Sequence, residues 1–143
     1  TTYSAFLHGV LIWICPGVPF QENSVEIDET GRYVIVCGRL HGIDIALNNV
    51  YAPNTEQPEF LGRLLKHMIT LTDYPILIDG DFNCVSSVLQ DRSHPPLAAS
   101  PIHKTAKCMR EWETRWNLLD TWRIHLPTTR DYSFYSGMHD LHV

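Results

Sequence analysis

No stretch of this sequence approaches the roughly 18 consecutive apolar residues that a membrane-spanning helix needs. The best candidate is the short run Val10-Leu11-Ile12-Trp13-Ile14-Cys15. No basic segment precedes that run and no A-x-A site follows it, so it does not read as a secretory signal. Cysteine is sparse: Cys15, Cys37, Cys84 and Cys108 form no C-x-x-C pair and no zinc-ribbon spacing. Scattered thiols in a chain with adequate apolar content imply a reducing compartment rather than a disulfide framework. The eight histidines are equally dispersed, and no pair one helical turn apart offers a zinc site. Repeats, low-complexity tracts and linker composition are all missing, which predicts one domain over 1–143. The sequence starts on Thr1 rather than Met, and reads as a processed chain or as part of a longer one.

What is present is a globular composition, 44% hydrophobic and 19% charged over 143 residues. The net charge of −5 hides an asymmetry. Seven basic residues fall between Arg92 and Arg130 (Arg92, Lys104, Lys107, Arg110, Arg115, Arg123 and Arg130), against Glu111, Glu113 and Asp120. That segment is +4 and the remainder −9. A basic stretch of this kind is either a solvated helix face or a patch turned toward phosphates.

Hydrophobic pattern predicts strands at Val10–Ile14, Tyr33–Cys37 and Ile43–Tyr51, separated by the turn signals Pro16-Gly17, Thr30-Gly31 and His41-Gly42. The short link between the last two predicts an antiparallel hairpin. Pro58, Phe60, Leu61, Leu64, Leu65 and Met68 predict an amphipathic helix. Pro75-Ile76-Leu77-Ile78 predicts a strand covered on both faces. Residues 86–100 read as loop. Ser100-Pro101 then opens a second helix, with Thr105, Cys108, Met109, Trp112, Trp116 and Leu119 on its buried side. Tyr132–Ser136 reads as a closing strand. The fold class is α/β with mixed sheets.

Two strand ends carry candidate chemistry. The run Pro75–Ile78 leads into Asp79-Gly80-Asp81-Phe82-Asn83, and ligands of α/β proteins bind beyond the carboxyl ends of strands. In an extended segment Asp81 and Asn83 point to the same side and Phe82 turns inward. A carboxylate beside a carboxamide suits a hard cation and can position a water near a phosphate. The same residues also read as an Asx turn capping the next element. The other strand end is Tyr51-Ala52-Pro53-Asn54. Its phenol can donate to a phosphoryl oxygen and its carboxamide can bond a neighbour or a phosphate. A plain tyrosine at a strand end before an Asn turn is the alternative.

The order strand, Tyr51-Ala52-Pro53-Asn54, helix, strand, Gly80-Asp81-Phe82-Asn83 resembles the endonuclease/exonuclease/phosphatase superfamily. More narrowly it resembles the apurinic-type endonuclease domain of LINE-type retrotransposons. Gly9-Val10-Leu11-Ile12, Asp91-Arg92, Leu119-Asp120-Thr121-Trp122-Arg123 and Arg130–Ser136 add to that resemblance in the same order along the chain. It implies a two-sheet α/β sandwich and an enzyme that nicks DNA by hydrolysing a phosphodiester with Mg²⁺ or Mn²⁺. By the resemblance, Asp81 orients or deprotonates the attacking water and Asn83 holds phosphate or metal. Asp81 and Asn83 are thus the implied metal ligands. Tyr51 stabilises developing charge, Asn54 supports the substrate, and Ser133 lies near the nucleic acid. It also implies a reverse transcriptase in the same polyprotein, no membrane partner, and an intracellular place, nuclear for a DNA substrate.

This sequence departs from that pattern in places. His8 stands where arginine is frequent, and Asp79 where glycine or an apolar residue is usual. The upstream asparagine and metal-binding glutamate of such enzymes would precede Thr1, and the downstream aspartate–histidine pair would follow Val143. Glu22, Glu26 and His139 lie in the wrong segments to replace them. The chain is therefore expected to be the middle of such a domain, truncated at both ends and inactive alone. The rival readings are a phosphatase of the same superfamily and a non-catalytic remnant or binding module.

Overall fold

The computed structural model describes residues 1–5, 9–55, 57–71, 73–87, 89–93, 101–132, 135–136 and 141–142. The chain divides into two compact units, Thr1–Asn83 and Cys84–Val143. It is an α/β protein with a mixed four-stranded sheet, two separate two-stranded sheets, and helices. Among the described residues no helix is long and apolar enough to cross a membrane.

In the first unit, β1 (Thr2–Ala5) pairs antiparallel with β2 (Val10–Trp13). Next come β3 (Phe20–Ile27), β4 (Tyr33–Leu40) and β5 (Ile43–Tyr51), an antiparallel meander. Helix α1 (Gln57–Leu71) then carries the chain back to β6 (Ile76–Asp81), which pairs parallel to β5. The β4–β5 turn is the dipeptide His41-Gly42, with φ of 48° and 84°. Two successive left-handed residues make the turn whose twist suits a tight hairpin. It sets the register from Leu40↔Ile43 to Tyr33↔Val50.

That register sorts the side chains onto two faces. Val34 and Val36 point to one, where they are fully buried with Tyr3 and Val10 of the β1–β2 hairpin; Ile12, Phe20, Leu47 and Tyr51 pack around them. Ile35 and Cys37 point to the other. Helix α1 lies there: His67 Nε2 is bonded to Glu26 Oε1 and stacks at a tilt against Tyr33. Its Leu61, Leu64, Leu65 and Met68, one apolar stripe at helical spacing, are all buried.

Three expectations need correction here. Strands β1 and β3 are not marked by the hydrophobic pattern. Most of β3 is solvent-exposed and its pairing slips between Glu22 and Ser24, so it lacks the alternation of a half-buried strand. The apolar run at β6 is not a strand covered on both faces. Among the described residues it pairs only with β5, at the sheet edge, and Leu77 is half exposed.

In the second unit, α2 (Pro101–Trp116) ends before Asn117, whose φ of 52° is the left-handed stop that asparagine tolerates. Ser100, expected as the cap, lies outside the described residues, as does most of the Ser86–Ser100 loop beyond Ser93. Ala106 and Trp112 are buried, but Trp116 is partly exposed and Leu119 lies beyond the helix and exposed. The expected stripe is therefore shorter, because the helix stops a turn before Leu119. The short helix α3 (Thr121–His125) is capped by the Asp120 carboxylate, which accepts from Arg123 N at 3.0 Å. Arg123 is the hub of this unit: its guanidinium pairs with Asp91 and donates to Thr129 O at 2.8 Å. Arg130 donates to Leu89 O and Gln90 to Pro127 O. The strands β7 (Tyr135–Ser136) and β8 (Leu141–His142) pair antiparallel.

Candidate functional site

Parallel pairing of β5 and β6 brings their carboxyl ends to one edge of the sheet. Tyr51 and Asp81 are direct register partners there, and Asn49↔Asp79 is the pair before them. All four point to the same face. Tyr51 is half-buried, while Asp79 and Asp81 are exposed. The two ends are tied together beyond the ladder: Ala52 N donates to Asp81 O at 2.8 Å.

Gly80 makes this close approach possible. Its φ of 134° lies where side-chain-bearing residues rarely go. An added Cβ would meet Val50 O at 2.0 Å and Val50 N at 2.7 Å. No other residue fits between the two strands at this point.

Asn83 does not continue the strand. Its φ of 49° turns the chain left-handed, and its N–H donates to Asp81 Oδ1 at 2.9 Å. Of the two readings of this segment, an extended pair or an Asx turn, the structure shows the Asx-type turn. Asn83 Nδ2 donates to Ala52 O at 2.7 Å. Its carboxamide thus fastens the end of β6 to the end of β5 and holds the Asp81 carboxylate by its own backbone. Phe82 is half-buried, in line with an inward anchor. Asn54 is exposed on the loop that leaves β5 for α1. Ser133, the remaining sequence-derived candidate, lies outside the described residues.

One residue of the site was not singled out from the sequence. The Arg32 guanidinium carbon lies 5.3 Å from the centroid of the Tyr51 ring, and its Nη1 donates to Tyr51 O at 3.5 Å. The backbone is joined too, Tyr51 N donating to Arg32 O at 2.8 Å. Asp28 fixes the loop that delivers it, accepting from Arg32 N at 2.9 Å and from the Thr30 hydroxyl. The signal was available: a two-residue turn at His41-Gly42 makes residue 32 the cross-strand partner of residue 51. Arginine over an aromatic face is favourable by about 0.5–1 kcal/mol at exposed sites, so the guanidinium is held beside the phenol rather than waving in solvent.

The donors at this edge are carboxylate and carboxamide oxygens, the chemistry of a hard divalent cation. Among the described residues no group of three or more His, Cys, Asp or Glu side chains converges on one point. Elsewhere, Glu22 accepts from the Tyr3 hydroxyl and Glu26 is taken by His67, so both serve the packing of the first unit.

The second unit has a shallow hollow of about 500 Å³, lined among others by Ser87, Asp91, Arg110, Glu113, Asp120 and Arg123. Burial, then the nearby Asp120 charge, raises the Glu113 carboxyl above its ordinary value, with Arg110 opposing. Its basic groups are engaged within the unit: Arg123 as above, and Arg110 donating to Ser86 O at 2.9 Å. No family model matches the chain.

Proposed function

We propose that this chain carries part of a metal-assisted phosphodiester-hydrolysing site of the endonuclease/exonuclease/phosphatase type, with DNA as substrate, as in the nicking domain of LINE-type retroelements. The observation that supports this most is the pairing of Tyr51 with Asp81 at the carboxyl ends of two parallel strands, with Arg32 against the phenol. The topology of the first unit, a hairpin on one face of a mixed sheet and a helix on the other, is in keeping with the two-sheet, helix-flanked sandwich of that superfamily.

In this reading the Tyr51 phenol donates to a non-bridging phosphoryl oxygen and stabilises charge that grows in the transition state. Asp81 accepts a proton from the attacking water, with its carboxylate oriented by the Asn83 N–H. Asn83 is a positioning residue for Asp81 and for the Tyr51–Ala52 strand end, and Asn54 bonds the substrate from the following loop. Two carboxylates, Asp79 and Asp81, face the substrate against one guanidinium, so a phosphodiester is repelled unless a cation intervenes. Asp81 and Asn83 would hold a Mg²⁺ ion there, which would supply that positive charge and Lewis acidity.

A second reading is a nucleic-acid-binding module without turnover. It is favoured by the lack, among the described residues, of three converging metal-ligating side chains. The two separate in a plasmid-nicking assay. The 143-residue chain is run beside a chain extended by the glutamate- and aspartate–histidine-bearing segments that the resemblance implies. The catalytic reading expects Mg²⁺-dependent nicking in the extended chain, abolished by Asp81→Ala with little change in melting, because the exposed strand-end carboxylate contributes one turn hydrogen bond and nothing to the core. It expects near-background nicking by the short chain. Nicking that survives Asp81→Ala sinks the assignment, and binding without nicking in both chains establishes the module.

A further inference from the structure

The positive excess of the second unit is not spread evenly. Lys104, Lys107 and Arg115 are exposed on α2 at spacings of three and eight residues. At about 100° per residue these three fall within a sector of roughly 80°, opposite the side that buries Ala106 and Trp112. The stripe runs about 16 Å along the helix. A single carboxylate, Glu111, interrupts it, 3.9 Å from Lys107 with both side chains well exposed. At the carboxyl end the Arg115 guanidinium lies 5.5 Å from the centroid of the Trp116 ring, and Trp116 is 41% exposed.

From this we infer a nucleic-acid-backbone contact surface on the exposed face of α2, made by Lys104, Lys107 and Arg115. It rests on the DNA reading above for the choice of polyanion and adds a second place of contact to it. Charge complementarity selects an anionic partner: three exposed cations against one carboxylate leave this face positive on a chain of net charge −5, so a polyanion is drawn to it. The hydroxyl of Thr114 is turned back to Arg110 O at 3.0 Å, so it leaves the stripe to the cations.

The test measures binding in EDTA, so that turnover plays no part. The probe is a short fluorescein-labelled DNA duplex of mixed sequence, titrated with the 143-residue chain between about 50 and 200 mM salt. Each phosphate neutralised steepens the logarithmic salt dependence by about 0.9. Replacing the three cations (Lys104→Gln, Lys107→Gln, Arg115→Gln) should lower the slope by between two and three in magnitude and weaken binding by roughly tenfold or more at the lowest salt. Glu111→Lys should do the reverse, steepening the slope by about one, and keeps the inference open to refutation if the triple variant folds poorly. Unchanged slopes in both variants overturn it. So does tighter binding to polyglutamate, or to phosphatidylcholine vesicles containing phosphatidylserine, than to the duplex. The outcome is separable from that of the catalytic reading: binding in EDTA involves no turnover, and in the extended chain the α2 variants should leave the Asp81 requirement for nicking intact.

Discussion

The two units of this chain are held together by different physics. In Thr1–Asn83 the order comes from a continuous ladder and apolar burial on both faces of a sheet, with Val34, Ile35, Val36, Leu61 and Met68 almost wholly removed from water. In Cys84–Val143 the buried apolar residues among those described are Val85, Ala106 and Trp112. There the chain is instead laced by arginine and glutamine side chains bonded to backbone carbonyls, around the Arg123–Asp91 pair. Burial is indifferent to direction and tolerates small errors. A lattice of charged side chains on carbonyls is directional, and one lost member leaves several groups unpaired at once.

The sharpest way to break the first unit is therefore to remove volume. Leu61→Ala, at a fully buried position of α1, should cost about 2–5 kcal/mol. Hydrogen exchange should register the loss across the whole four-stranded sheet, because α1 and the sheet share one core. An effect confined to α1 would mean that the helix is not part of that cooperative core.

Breaking the second unit calls for removing charge. Arg123→Ala should cost about 2–3 kcal/mol, less than a fully buried pair, since both partners remain slightly exposed. The exchange signature should be local: amides of α3 and of residues 126–130 lose protection, while β4 and β5 keep theirs. Loss of protection in β4 and β5 on Arg123→Ala would erase the distinction between the units.

A smaller effect sharpens the comparison through pH. Burial, and then the hydrogen bond to Glu22, push the Tyr3 phenol up to about 12. Its ionisation is thus disfavoured in the folded chain relative to the unfolded one near 10. Stability from this group is complete below pH 10 and is lost as pH climbs from 10 toward 12. Tyr3→Phe should flatten that alkaline limb in thermal melts. A limb unchanged by the substitution would assign it to other groups.

Much of the first unit was legible because its signals are local. Strands β4 and β5 and helix α1 follow from apolar period and turn residues. The site was legible only in part. The residues Tyr51 and Asp81 could be picked as strand-end groups, but their direct pairing depends on the parallel register, which no local pattern states. Asp81-Phe82-Asn83 could be read either as extended or as an Asx turn, since asparagine suits both, and the structure decides for the turn. Strand β3 escaped for the opposite reason to β4: at the edge of a sheet, solvent replaces one partner and the hydrophobic alternation with it. In the second unit Arg123 and Asp91, 32 residues apart, carry no periodicity that would announce their meeting.

The turn at His41-Gly42 works as the zero mark of a ruler whose far end is the candidate site. Every cross-strand neighbour from Leu40↔Ile43 down to Tyr33↔Val50 is counted from it, and Arg32 meets Tyr51 on the next division. Lengthening the turn by one residue within the same pairing would move each mark by one. Since side chains alternate between faces, the phenol would swing to the side of α1 and Arg32 would lose its companion. The loops around Pro16 or Asp73 bear no such reading. A tolerated insertion there and an intolerable one at Gly42, roughly 30 Å of strand away from Tyr51, is how a distant hairpin dictates spelling at the site without touching it.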